Sequence, residues 1–195
     1  MDPTDIPAPG KEFSLKTARL LQARLGQPDE EWKGTADGSP YGFTLLKYSG
    51  RPSEGVAAYL TLGLSDRELD LPGEGPVRQE LLICHEEAEG WNSPSLLHYT
   101  AERLLQEGQA LRQGEVLDYS ETLFDGYSFE GLYCALPLFF DLTDEALPVR
   151  FLQLIPLNRG EITYIEEMGW REFEKRVEKM KGLLLDLLRG DISDD

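Results

Sequence analysis

The clearest pattern along the chain is Phe151-Leu152-Gln153-Leu154-Ile155, an apolar run with one polar interruption. Near-continuous apolarity over so short a span predicts a strand buried on both faces, in the middle of a sheet. Pro156 is expected to end it, since proline cannot donate to a ladder. Asn158 reads as a helix N-cap, with Glu161 three residues on as its capping-box partner. Ile162, Ile165 and Met168 then fall on one side of the helix, and Gly169 breaks it. A second helix is predicted from Trp170 to about Leu188. A core strand feeding a docked C-terminal helical pair is the expected scaffold.

The earlier positions predict further elements. Residues 1–13 are Pro-rich and polar and read as a loose arm. Ser14 can cap a helix running to Leu25, with Leu15, Ala18, Leu21 and Leu25 on one side and Gly26 just past its end. Gln27 to Pro40 reads as loop. Tyr41–Tyr48, Val56–Ser65 and Val77–His85 are strand candidates. In the second, Val56, Ala58, Leu60, Leu62 and Leu64 alternate with Tyr59 and Thr61. Successive strands without intervening helices favour antiparallel pairing.

Ser93-Pro94 opens a helix to about Gln106, with Leu97, Ala101 and Leu104 inward. Gly114–Tyr119 and Leu132–Leu136 read as short strands, with irregular acidic segments at 120–130 and 141–147. Residues 191–195 read as an acidic tail. The expected fold is α+β: a mixed, mostly antiparallel sheet flanked by helices, in a single domain over residues 14–190.

Charge changes what this fold can be asked to do. The formal net charge is −17, from 19 Lys and Arg against 36 Asp and Glu in 195 residues. Phosphate-backbone binding needs clustered cations, so no nucleic acid is expected as partner. An anionic membrane surface is disfavoured likewise, and no apolar run of about 18 residues suggests a membrane span. The Met1-Asp2-Pro3-Thr4-Asp5 start lacks signal-peptide features. Cys84 and Cys134 both lie in apolar strands and are expected to be reduced core residues, which together suits the cytoplasm. A strongly negative field does suit steering of a basic partner.

The ordered series of short strings resembles the suppressor-of-fused (SUFU) domain family, in a compact bacterial form. The resemblance rests on Phe151–Leu157 with Glu166-Glu167-Met168-Gly169-Trp170, on Thr61-x-Gly63-x-Ser65, and on Arg78-Gln79-Glu80-Leu81-Leu82. It extends to the helix around Leu96–Leu105 and to Gln113-Gly114-Glu115-Val116-Leu117, and so spans about residues 40–190. The family often has a His where this chain has Val116, so no role of that His carries over. The resemblance implies binding, not catalysis. In animals the suppressor-of-fused protein holds a transcription factor, and bacterial members are seen as immunity or antitoxin proteins that neutralise a toxin. Both roles stand as readings, beside that of a small carboxylate-dependent hydrolase.

Catalytic and metal chemistry find little support. Adjacent strand residues point to opposite faces, so Cys84 and His85 make a poor dyad. Cys84, His85, Glu86, Glu87 and Glu89 cannot converge on one ion, and no cofactor is expected. Ser65 lacks a nucleophile elbow, and Gly73-x-Gly75 precedes Pro76 and a strand, not a helix. Trp170 reads as core, and Trp91 as core packing or, less favoured, a partly exposed anchor. The remaining candidate is a partner-binding segment. Asp118, Tyr119, Glu121, Asp125, Tyr127 and Glu130 interleave acids with aromatics, which suits a basic protein surface. The plainer reading is a long loop packed by its own aromatics.

Overall fold

The computed structural model describes residues 11–33, 42–88 and 91–192. Among these residues, eight strands form one sheet: β1 (Glu30–Lys33), β2 (Thr44–Ser49), β3 (Val56–Leu62), β4 (Leu69–Leu71), β5 (Gly75–Glu86), β6 (Val116–Asp118), β7 (Phe129–Ala135) and β8 (Val149–Asn158). The order is β1-β2-β3-β5-β8-β7-β6, with β4 paired to β5. Every pairing is antiparallel except β5 with β8, where Glu80 opposes Phe151 and Leu82 opposes Gln153. The helices are α1 (Glu12–Leu25), α2 (Ser93–Glu107), α3 (Arg159–Met168) and α4 (Trp170–Met180). The fold is α+β, as the pattern predicts.

Strand alternation sends one set of side chains to each face. Leu81, Ile83, Leu152 and Leu154 pack under α2 with Leu97, Ala101 and Leu104. Leu82, Cys84 and Phe151 pack on the other face with Leu21 and Leu25 of α1. Beside them, Ile155 and Leu157 meet Ile162 of α3 and Phe173 of α4. The central strands β5 and β8 are therefore covered twice, which explains the unbroken apolarity of β8. Cys84 and Cys134 are buried free thiols.

The C-terminal signals form as expected. The Asn158 Oδ1 accepts from the Glu161 N–H at 3.1 Å, and Glu161 Oε2 accepts from the Asn158 N–H at 3.0 Å. Gly169, at φ 87°, separates the two helices.

Several boundaries differ from the pattern. β8 runs through Pro156 because β5 pairs with it only as far as Gln153, so the missing N–H breaks no ladder bond there. Pro156 still opposes Leu132 of β7. The second C-terminal helix stops at Met180, and Leu183–Leu185 form a 3-10 turn that buries Leu184 and Leu185. Met168 is exposed. Helix α1 begins at Glu12, inside the expected arm, and buries Thr17, Leu20, Leu21 and Leu25 while Leu15 faces out. The rest of that arm, residues 1–10, and Tyr41 lie outside the described residues.

Edge strand β1 sits in the stretch read as loop, and its exposed pattern hides it from periodicity. The cap of α2 is Asn92, whose Oδ1 accepts from the Ser95 N–H, not Ser93. The chain stays docked through Ile192, which is buried; residues 193–195 lie outside the described residues.

Candidate functional site

The short string Thr61-x-Gly63-x-Ser65 closes around one carboxylate. Thr61 Oγ1 donates to Glu80 Oε2 at 2.6 Å, and Ser65 Oγ donates to Glu80 Oε1 at 2.7 Å. The N–H groups of Gly63 and Ser65 reach the same Oε1 at 2.9 and 3.1 Å. Gly63 takes φ 105°, a conformation that turns its N–H and that of Ser65 inward. Glu80 is fully buried, and burial outweighs the four donors, pushing its carboxyl up to about 7. The next residue back, Gln79, is also buried and forms a two-way amide pair with Leu111 at 2.9 and 3.0 Å. The Gln79 pair ties β5 to the turn after α2, and both Gln79 and Leu111 line a cleft.

That cleft has a volume of about 1090 Å³. Leu136, Leu138, Phe139, Phe140 and Leu142 give it an apolar wall. Gln79, Leu111, Phe151, Leu152 and Trp170 close the rest, with Glu74, Asp141, Asp144 and Glu145 also lining it. Glu74 pairs with Arg150 at 2.9 Å and Asp141 with Arg24 at 3.6 Å. Asp144 Oδ1 accepts from the Ala146 N–H. Among the described residues neither Asp144 nor Glu145 pairs with a cation. The cleft exists because β7 leaves β8 at the Ala135–Gln153 pair. No strand pairs with β8 on that side from Val149 to Leu152 among the described residues.

The sequence-predicted binding residues are brought together only in part. Arg159, first residue of α3, donates to both Asp118 oxygens at 2.8 and 3.0 Å, and its Nε donates to Glu130 at 2.7 Å. Its guanidinium holds the Asp118 carboxyl below the usual range. Phe124 and Tyr127 pack edge-on against Trp91, with ring centres 4.7 and 5.2 Å away. Tyr119 turns to Tyr99, at 6.4 Å. Glu121 and Asp125 are exposed. Two acids of the set are thus held by the partly exposed Arg159, and its aromatics largely anchor the segment on the core.

Trp91 is core, as read from sequence. Trp170 is only half-buried and lines the cleft. Sequence reasoning missed the cleft itself. Its only trace was Leu136-Pro137-Leu138-Phe139-Phe140, an apolar string too rich for an ordinary acidic loop.

One further constellation escaped the sequence. His85 Nδ1 donates to the Glu86 carbonyl at 2.7 Å, so in the neutral ring Nε2 accepts from Ser93 Oγ at 2.5 Å. Trp91 Nε1 donates to the same Oγ at 2.9 Å. Burial lowers the His85 pKa, which keeps the ring neutral. Ser93 is buried beneath Trp91 and does not line the main cleft, so this pair clamps the 85–93 connection rather than meeting a substrate. Cys84 faces the opposite side of the sheet, with α1. Among the described residues no group of three His, Cys, Asp or Glu could hold a metal ion, and no helix is long and apolar enough to cross a membrane.

Comparison with known proteins finds the same architecture. The model of the family described as suppressor of fused protein (SUFU) matches residues 40–190. The chain is 22% identical over 182 residues to the immunity protein YqcF of Bacillus subtilis (strain 168), covering 90% of this chain and 94% of that protein. A crystal structure of a suppressor-of-fused homolog from Neisseria gonorrhoeae superposes with a TM-score of 0.73 at 17% identity, over 94% of this chain and 98% of that one. The crystal structure of the Sufu–Fu complex matches with a TM-score of 0.63 at 16% identity, over 97% of this chain and 94% of that one.

Proposed function

This chain belongs to the suppressor-of-fused family, and on that premise we propose that it is a non-catalytic module that binds a protein partner, an immunity protein that neutralises a basic toxin. The observation that carries the reading is the cleft of about 1090 Å³, with its apolar wall and its acidic rim at Asp144 and Glu145. An apolar pocket with a few oriented polar groups is the usual form of a binding site. The net charge of −17 adds a field that draws a cationic partner toward it. The name of the Bacillus subtilis relative supports the immunity role.

A hydrolase would want two carboxyls with raised pKa values in a cleft. Among the described residues, the two carboxyls that burial raises, Glu80 and Glu161, line no part of the main cleft and are occupied by internal donors. An adaptor role, holding a regulatory protein, is the second reading. It is supported by the fold shared with the protein crystallised as the Sufu–Fu complex.

The test is co-purification with mass spectrometry, then co-expression of the captured protein with and without this chain. Growth arrest by the partner alone, relieved by this chain, supports immunity. A partner that is harmless when expressed alone overturns it in favour of the adaptor.

A further inference from the structure

The main cleft does not end at its own wall. A second cleft of about 390 Å³, lined by Pro72, residues 109–110 and 112–115, adjoins it, and Leu71, Arg112, Gln113 and Trp170 line both. The indole is fixed there by Gly114. A Cβ on that glycine would lie 2.5 Å from Trp170 Cδ2 and 2.6 Å from Cγ, so the ring rests directly on its backbone. The neighbouring Gln113 amide donates to Glu174, one turn along α4, at 2.8 Å. The start of α4 is therefore pinned against the 111–115 turn, and Trp170 forms a saddle between the two clefts. The Arg171 guanidinium lies 4.9 Å from its ring centre.

The polar end of this side chain is unused. Among the described residues, Trp170 Nε1–H meets no acceptor, whereas Trp91 Nε1–H is bonded to Ser93. A half-buried indole with a fixed ring and an unmatched donor is the kind of residue that dominates protein interfaces.

We propose that Trp170 is the anchor of the binding surface, and that its occupant is an extended segment of the partner with alternating basic and apolar side chains. The segment crosses the saddle, and one of its backbone carbonyls accepts from Trp170 Nε1–H. An apolar side chain fills the wall of Leu136, Leu138 and Phe140, and its basic neighbours face Asp144 and Glu145. An extended chain fits because it presents a carbonyl and opposite-facing side chains within a few ångströms. A helix uses its carbonyls internally. The proposal rests on the cleft reading of the preceding subsection, and the test separates the two.

The probe is the acetylated, amidated pentapeptide Lys-Leu-Lys-Leu-Lys, titrated into the isotope-labelled full chain, with Glu-Leu-Glu-Leu-Glu as control. The three tryptophans give three indole N–H signals, and Trp170→Phe identifies the one that matters. The expected result is a downfield shift of the Trp170 signal with the lysine peptide alone, and about tenfold weaker binding by Trp170→Phe, the scale of one lost hydrogen bond. The other two indole signals should stay in place in that variant, showing an intact fold. A still Trp170 signal, unchanged affinity in Trp170→Phe, or no binding of the lysine peptide at millimolar concentration each overturns the proposal. Leu136→Asp, at an exposed position of the wall, separates the outcomes. If it abolishes binding while Trp170→Phe does not, the cleft stands and the anchor falls. If neither variant changes binding, the cleft falls as well.

Discussion

The Arg189 guanidinium sits against the Glu161 carboxylate at 2.5 Å, with both side chains almost wholly removed from solvent. Arg189 also donates to the Pro156 carbonyl at 2.6 Å, and the Ile192 N–H reaches Glu161 at 3.2 Å. The C-terminal turn is thereby locked onto the end of β8 and the start of α3. Removing one partner of a buried ion pair strands the other charge. Arg189→Ala should cost about 3–5 kcal/mol, and thermal unfolding checks it. A variant as stable as wild type would show that the turn does not contribute through this pair.

The buried carboxyl of Glu80 makes stability depend on pH. Its pKa is raised from 4.5 to about 7. The protonated form is therefore favoured in the fold, so the stabilisation is full below about pH 4.5 and is lost as pH rises through 7. The difference across that window is on the order of 3 kcal/mol. Comparing urea unfolding of wild type and Glu80→Gln between pH 5 and 8 should show a fall in wild type that the variant lacks. Parallel pH curves would mean that the four donors keep Glu80 ionised in the fold.

Leu154 has no exposed surface and packs beneath α2. Leu154→Ala should cost about 2–5 kcal/mol, from lost transfer energy and the cavity left behind. A thermal midpoint close to wild type would contradict its central place.

The thiols should be slow to react. Burial pushes the Cys84 thiol up to about 12, and Cys134 is raised by burial as well. Thiolate is the reactive form, so a thiol reagent should find almost none in the native protein at pH 7 and two after denaturation without reductant. A disulfide by mass would overturn the free-thiol state of both.

Two acidic surfaces can be ranked by kinetics with the co-purified partner. Asp144→Asn with Glu145→Gln should slow association and flatten its salt dependence, and leave stability nearly unchanged because exposed charges contribute little. Glu121→Gln with Asp125→Asn should do less, because the aromatics of that segment are held against Trp91 and Tyr99. The reverse ranking would return the binding surface to residues 118–130.

Local signals were legible because each is complete within a few residues. The Asn158–Glu161 capping box, the break at Gly169 and the double-sided apolarity of Leu152 to Ile155 are consequences of short-range geometry and strand period. They determine a central strand and a helical pair, and with them the α+β class. The acidic balance is likewise a property of composition alone.

The site was decided by contacts between residues far apart in the chain. Thr61, Gly63 and Ser65 are ordinary in sequence until Glu80, on another strand, receives their donors. Arg159 pairs with Asp118 and Glu130 across 41 and 29 residues, occupying both carboxylates within the chain. Trp170 reads as core from its helix junction, yet Gly114 holds its ring between two clefts. Periodicity reports which face of an element is apolar, but not which element arrives to cover it. A cleft is the space that the covering elements leave open, so only the tertiary arrangement could place it.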